Sequence, residues 1–365
     1  MKASSTRIVR RGLGALCAAV LALSGQAAAN DSGSELAAGG IVLVKNDDIA
    51  MQREDLTLSP SEVRVRYEMR NDSGKPVTLR VAFPMPEVPA WSPGGFHTAS
   101  SPRGIMLAKP AEVGGLNFIG FRVWADGREI APEVEIRATL PDGRDIAAAV
   151  QEIGGVALVM RSGLFALPDD PKLDTATRKR LSELGAIEEL DDRAYRLPWT
   201  TRITFHWMQT FAPGVTVVEH SYRPILGFGY VGFARQGGAL FAGPDTDAAS
   251  VFCIDAGGRQ TLRSLGERER AKRLAKGEPD FSELFGYTLG YVLQTAKNWR
   301  GPIGTFHLTV KGDSIPAAHW TDGGPLLAMY FCSPVPLSQT APLLMEGEAR
   351  DFVPTSDLRI LLVRE

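Results

Sequence analysis

Two histidines, His206 and His220, are the residues whose types and spacing point most directly to chemistry. Ala212-Pro213-Gly214 lies between them. If the flanking stretches form a hairpin with a three-residue turn centred on Pro213, His206 faces His220 across it. Two imidazoles on one sheet face are half of a zinc or copper site. With a third ligand drawn from His97, His307 or His319, the pair would suit a metal-assisted hydrolase. The competing reading is a cross-strand polar–aromatic pair, flanked by Met208/Val218 and Thr204/Tyr222. A shift in turn length would put the two rings on opposite faces.

Other constellations carry less. Gly227-Phe-Gly229-Tyr-Val-Gly232 matches the dinucleotide fingerprint literally, but that motif needs a parallel strand before it and a helix after it. Here Arg223-Pro224 precede it and aromatics interleave, so a glycine-rich turn or bulge is expected. There is no Gly-x-Ser-x-Gly and no Ser-x-x-Lys, the common serine-hydrolase signatures. His220 and Ser221 are neighbours, but adjacent strand residues point to opposite faces, the wrong geometry for a base and its nucleophile. The paired acids Glu188-Glu189 and Asp191-Asp192 read as solvated surface. No cofactor is expected.

The first 29 residues narrow the field further. Lys2, Arg7, Arg10 and Arg11 form a positive segment, Leu13 to Leu23 an apolar run too short to span a membrane, and Ala27-Ala28-Ala29 a peptidase site before Asn30. The chain is therefore expected in the periplasm, without standing pools of ATP or NAD(P)H, where disulfides persist. Cys17 falls inside the leader, which leaves Cys253 and Cys332. A disulfide between them is expected, worth up to about 4.5 kcal/mol in the chain-entropy account; the alternative is two separate buried thiols. Losing the leader removes four basic residues and no acidic ones, so 36 Lys+Arg stand against 42 Asp+Glu. A mildly acidic chain has no general attraction to nucleic acid. No later segment is long and apolar enough to cross a bilayer.

The elements that would position these residues are mostly strands. Val63, Val65, Tyr67 and Met69 alternate with charged residues, Asn71-Asp72-Ser73-Gly74 turns, and Val77, Leu79, Val81 and Phe83 alternate in reply. That pattern predicts a hairpin. A second is expected from Phe121 to Trp124 through Asp126-Gly127. Between them, Pro84 to Pro110 makes a long Gly/Pro-rich excursion. Helices are expected near 146–150 and 177–184, the second capped by Asp174 or Thr175 and ended by Gly185. A polar helix is expected over 259–276. It carries seven Lys and Arg residues with Leu262, Leu265 and Leu274 on one stripe. Its basic side would meet anionic lipid or an acidic partner, or simply face water. The expected fold is α+β, predominantly antiparallel β. It would comprise two β-sandwich-like lobes, 30–140 and 199–365, with a helical insertion at 141–198.

Several stretches resemble one known family. Tyr291-Val-Leu-Gln-Thr-Ala-Lys-Asn-Trp-Arg-Gly-Pro-Ile303-Gly-Thr-Phe306 is the most specific. Gly39-Gly40 through Asp48-Ile-Ala50, Ala82-Phe-Pro-Met-Pro86, His206-Trp-Met-Gln-Thr-Phe211, Glu219-His-Ser-Tyr-Arg-Pro224 and Phe331-Cys332 complete the set. Together they resemble an exported bacterial family known as domain of unknown function 4424, over nearly the whole chain after the leader. Thr305 and His307 stand where that pattern has Asp and Arg. The resemblance implies a periplasmic location and implies no activity, cofactor or catalytic residue.

The reading that follows is a non-catalytic binding or interaction protein of the cell envelope. Its partner would be an envelope protein or a glycan. The long Pro84–Pro110 loop, with Trp91 and Phe96, and the region of Trp299 are the expected binding surface. The alternative is the metal-assisted hydrolase at His206 and His220.

Overall fold

The computed structural model describes residues 32–37, 40–85, 117, 119–161, 165–166, 173–191, 194–224, 226–235, 238–241, 247–312 and 326–364. The chain opens with β1 (Ser32–Ala37), β2 (Gly40–Val44), β3 (Ile49–Leu58), β4 (Val63–Asn71) and β5 (Val77–Pro84). Three short strands follow, β6 (Arg122–Ala125), β7 (Arg128–Ile130) and β8 (Glu133–Thr139). The helical stretch holds α1 (Ala147–Val159), β9 (Phe165–Ala166), α2 (Thr175–Leu184), β10 (Glu188–Asp191) and β11 (Ala194–Arg196). Next come β12 (Thr200–Phe211), β13 (Gly214–Tyr222), β14 (Gly227–Arg235) and β15 (Gly238–Phe241). Two helices, α3 (Asp247–Val251) and α4 (Ala256–Ala275), precede β16 (Phe281–Tyr291), a 3₁₀ turn (Gln294–Asn298) and β17 (Ile303–Lys311). The last strands are β18 (Leu326–Cys332), β19 (Ser338–Ala341), β20 (Leu344–Phe352) and β21 (Leu358–Arg364).

The fold is α+β and predominantly antiparallel β. Two sheets make the main sandwich: β2-β1-β5-β12-β8, and β19-β20-β17-β3-β4-β13-β6-β7. Among the described residues every strand pairing is antiparallel except β17 with β3. The alternation read from sequence holds, with Val63, Val65, Tyr67 and Met69 all buried. They share one core with Val81, Phe83, Ile203, Phe205, Trp207 and Phe211.

Two of the expected hairpins are instead arches. β4 pairs with β3 and β13, and β5 with β1 and β12, so the turn at 72–76 carries the chain from one sheet to the other. The turn at 212–213 does the same, joining β12 in the first sheet to β13 in the second. Alternation cannot separate the two outcomes, because a hairpin and an arch both aim one set of side chains at the core. The arches stack on each other, β5 against β12 and β4 against β13, with Val77 opposite Phe211 and Asn71 opposite Gly214. Asn71 locks the corner. Its Nδ2 donates to the carbonyls of Lys75 (2.7 Å) and Phe211 (2.9 Å), and its Oδ1 accepts from the Ser73 backbone N–H at 2.9 Å. The Asp126-Gly127 hairpin forms as expected. Both residues take positive φ (47° and 74°), as a two-residue turn of this kind requires.

The division into lobes at 30–140 and 199–365 does not describe the sheets. β3 and β4 pair with β17 and β13, and β5 pairs with β12, so strands from both stretches build a single sandwich. A separate third sheet, β15-β14-β16-β21-β18, forms a further layer. One of its faces, with Leu289, Ile360 and Leu362, joins the main core. The other, with Leu284, Leu361 and Val363, is covered by Leu262 and Leu265 of α4. That helix covers the expected 259–276 and begins slightly earlier, at Asp255, whose side chain accepts from the Gly258 backbone N–H at 2.7 Å. Strand β18 ties the helix down twice. Cys332 is joined to Cys253 by a disulfide, with Cα atoms 5.1 Å apart, and Tyr330 Oη donates to the Gly258 carbonyl at 3.1 Å.

The helical insertion forms its own small core of Val150, Leu158, Val159, Leu181, Leu197 and Trp199. Asp174 caps α2 and Gly185 ends it at φ 69°, as the sequence predicts.

Candidate functional site

The structure separates His206 from His220. Because the turn after β12 is an arch, the two rings lie on different sheets. His220 points into the sandwich, fully buried, among Phe83 (ring centroids 4.6 Å apart), Phe121 (5.3 Å) and Tyr67 (5.6 Å). His206 lies on the opposite face of its sheet, with Glu133 and Ala82 as its cross-strand neighbours. Its Nδ1 is 3.0 Å from Arg80 Nη1. A guanidinium only donates, so Nδ1 is the acceptor and the ring is neutral. Burial is the main cause holding the His206 pKa below its ordinary value, with Arg80 acting the same way against Glu133 and Glu135. The juxtaposition that a His206/His220 metal site requires is therefore not formed. His307 sits elsewhere, its Nδ1 3.8 Å from Asp55 on the eight-stranded sheet. His97 and His319 lie outside the described residues. Among the described residues no three His, Cys, Asp or Glu side chains gather as a metal site.

The remaining expected positions resolve as follows. Trp299 is buried in the core at 1% exposure, edge-on to Phe211 with centroids 6.1 Å apart, so it offers no binding surface. Trp91 and Phe96 lie outside the described residues, as does the Pro84–Pro110 loop beyond Met85. Gly227 to Gly232 run within β14, antiparallel to β16, with an irregular register between Tyr230 and Gly232. That is the expected bulge, and no helix opens after it. Glu188 lies in β10, partly exposed, and pairs with Arg196 of β11.

The segment most specific to the resemblance also has a packing role. Asn298 O accepts from Asn46 N (2.6 Å), and Arg300 N donates to Ile49 O (2.9 Å). Arg300 Nη2 reaches Asp72 at 2.5 Å, at the arch turn. Gly301 takes φ 72°, and a Cβ on Gly304 would lie 2.6 Å from the Gln52 carbonyl oxygen. Gln52 is the residue skipped where β3 shifts register between Met51 and Arg53. This segment thus docks β17 beside β3.

A site the sequence reading missed lies on the β8–β12 border. There Arg137 stands directly opposite Arg202, and Thr139 opposite Thr200. These four side chains line an open cavity of about 590 Å³, whose lining Leu140, Pro141 and Pro198 complete. Residues 199 and 201 alternate away from it. Trp199 Nε1 and Thr201 Oγ1 both donate to the Val159 carbonyl, each at 2.9 Å, and so fix the start of β12 on the helical insertion. Arg137 is positioned by Asp145, whose Oδ2 accepts from Nε at 3.0 Å. The other oxygen of Asp145 accepts from the backbone N–H groups of Ala138 and Ala147, both at 3.1 Å. The alternation Glu133-x-Glu135-x-Arg137-x-Thr139 was the available signal for one polar strand face. Its pairing with Thr200-x-Arg202, some sixty residues on, was not visible in the sequence.

A family model described as Domain of unknown function (DUF4424) matches residues 29–361. No curated protein matches the chain. Among solved structures, a "putative nutrient binding protein" from Legionella pneumophila subsp. pneumophila aligns over 92% of this chain and 72% of its own, at 14% identity and a TM-score of 0.38.

Proposed function

The chain belongs to the family described as Domain of unknown function (DUF4424), and from that premise we propose that it is an exported, non-catalytic binding protein of the cell envelope. The observation that carries this reading is the cavity on the β8–β12 border. Its polar groups are two guanidiniums and two threonine hydroxyls. Such groups hold a ligand by charge and hydrogen bonding, while an arginine is too basic to take a proton from a substrate. The leader-like first 29 residues support export, and the Cys253–Cys332 disulfide suits an oxidising compartment. The partner class is an envelope protein, a glycan or a small envelope solute.

Two measurements test the proposal. N-terminal sequencing of the protein from a periplasmic fraction should begin at Asn30; an uncleaved chain confined to the cytoplasm would reject export. Affinity purification from that fraction, followed by native mass spectrometry, should show a stoichiometric companion. Pro141, at the cavity rim, supplies the control. Pro141→Trp places an indole there and should displace the companion. A solitary protein that captures nothing from a concentrated envelope extract would end the binding reading.

A further inference from the structure

We infer that the outward side of α4 rests on an anionic lipid surface, held there by Arg263, Arg268 and Lys276. The inference goes beyond the binding reading above and makes no use of the cavity. Its starting point is charge. The chain after the leader is acidic, yet seven of its 36 basic residues and only two of its 42 acidic ones fall within 256–276. The acids beside the helix are engaged. Glu267 and Asp280 pair with Arg270, Glu269 with Lys272 and Glu278 with Arg273, while Asp255 caps the first turn. Arg259 Nη1 donates to the Ile254 carbonyl at 2.9 Å. Arg263, Arg268 and Lys276 remain, all exposed and none paired with a carboxylate among the described residues.

The fold presents these cations in a fixed line. Leu262 and Leu265 turn toward the third sheet, and the disulfide and Tyr330 clamp the helix there. The helical period of about 3.6 residues puts Gln260, Ala271 and Ala275 on the opposite side, where all three are exposed. Arg263 and Arg268 flank that ridge on its two sides and Lys276 stands at its end, the three spanning about 20 Å. Small residues along the ridge let a flat surface come close, and the long side chains at its borders reach it. Leu274, 43% exposed at the same end, adds an apolar contact. A specific protein partner needs a packed hollow with an anchor at its centre. A convex helix with charge spread along it suits a lipid headgroup surface instead. Glu267 and Asp280 share Arg270, which leaves one acid unmatched and keeps the attraction weak and reversible. Each cation is worth about a fivefold preference, so three cations less that acid predict roughly thirtyfold for anionic over neutral lipid.

Vesicle sedimentation with the chain from residue 30 to 365 tests the assignment. Vesicles of equal parts phosphatidylglycerol and phosphatidylcholine should pellet the protein, vesicles of phosphatidylcholine alone should not, and added salt should release it. The triple variant Arg263→Gln, Arg268→Gln, Lys276→Gln should lose the preference. Arg263→Lys with Arg268→Lys should keep it, because a diffuse surface reads the charge and not the planar fork. Thermal melts check that each variant folds, and Arg268→Gln with Lys276→Gln replaces the triple variant if that one does not. Equal binding to both vesicles, no binding to the anionic ones, or binding unchanged by the glutamine substitutions overturns the inference. Pro141→Trp separates it from the cavity reading and should leave vesicle binding intact. An extract protein kept by Pro141→Trp but lost from the triple variant, with no vesicle bound, would put an acidic protein on the helix and remove the lipid assignment.

Discussion

Asn71 and His206 show how single polar residues are used here. Asn71 is almost fully buried and bridges the two arches through the Lys75 and Phe211 carbonyls. Asn71→Ala strips both acceptors of their donor and leaves the buried Phe211 carbonyl without it, while the Lys75 carbonyl lies at the exposed turn, so a loss of about 1–3 kcal/mol is expected. Urea denaturation should show it as a lower midpoint with an unchanged slope. His206 contributes a pH dependence of stability instead. Its folded pKa lies below the unfolded value of about 6.5, chiefly through burial. The unfolded chain therefore binds the proton more readily. Stability from this ring is complete above about pH 6.5 and is lost as pH falls below it. Protonation also removes the acceptor that faces Arg80. Melting temperatures taken between pH 7.5 and 5 should fall more steeply for the wild type than for His206→Gln; parallel curves would remove the ring from the account. The sequence singled out both His206 and His220, for a pairing that folding does not make. The type of each residue was legible. Which sheet each belonged to depended on whether Pro213 closes a hairpin or an arch, and local pattern is the same for both.

Among the elements, those defined by neighbours in sequence were read well. The cap at Asp174, the stop at Gly185 and the Asp126-Gly127 hairpin follow from local backbone chemistry, and they appear where the sequence puts them. The polar helix does too, because its leucine stripe must be covered. Contacts between distant elements were not legible, and the Arg137–Arg202 pairing is one of them. The docking of β17 beside β3 is another, and it makes a sharp demand at Gly304. A methyl there would sit 2.6 Å from the Gln52 carbonyl oxygen, a backbone atom that cannot swing aside. Gly304→Ala should cost about 1–3 kcal/mol by overpacking. Thr305→Ala, one residue along, is the comparison. Equal melting temperatures for the two variants would show that the strands do not approach so closely.

At the scale of the whole molecule, composition and alternation identified a strand-rich α+β protein, and those features survive any rearrangement of strand order. The two-lobe division failed because sheet membership is decided by pairings between strands far apart in the chain. β3 and β4 need β13 and β17 as partners, so residues 30–140 hold only part of each sheet. A fragment of residues 30–140 should lack the dispersed amide spectrum of a folded domain, whereas the chain from residue 30 to 365 should unfold with the main sandwich as one cooperative unit. A folded, monomeric fragment would restore the N-terminal stretch as an independent lobe.

The parallel pairing of β3 with β17 also sets a timetable. About 245 residues separate Leu58 from Ile303. At roughly 5–20 residues per second, synthesis delivers the second strand about 12 to 50 seconds after the first. Throughout that interval one edge of β3 has no partner to close it. The N-terminal third must wait, extended and vulnerable to aggregation, for its neighbour to arrive. A chain threaded unfolded through a membrane pore would gain from this delay, since its fold cannot be completed while most of it is still on the near side.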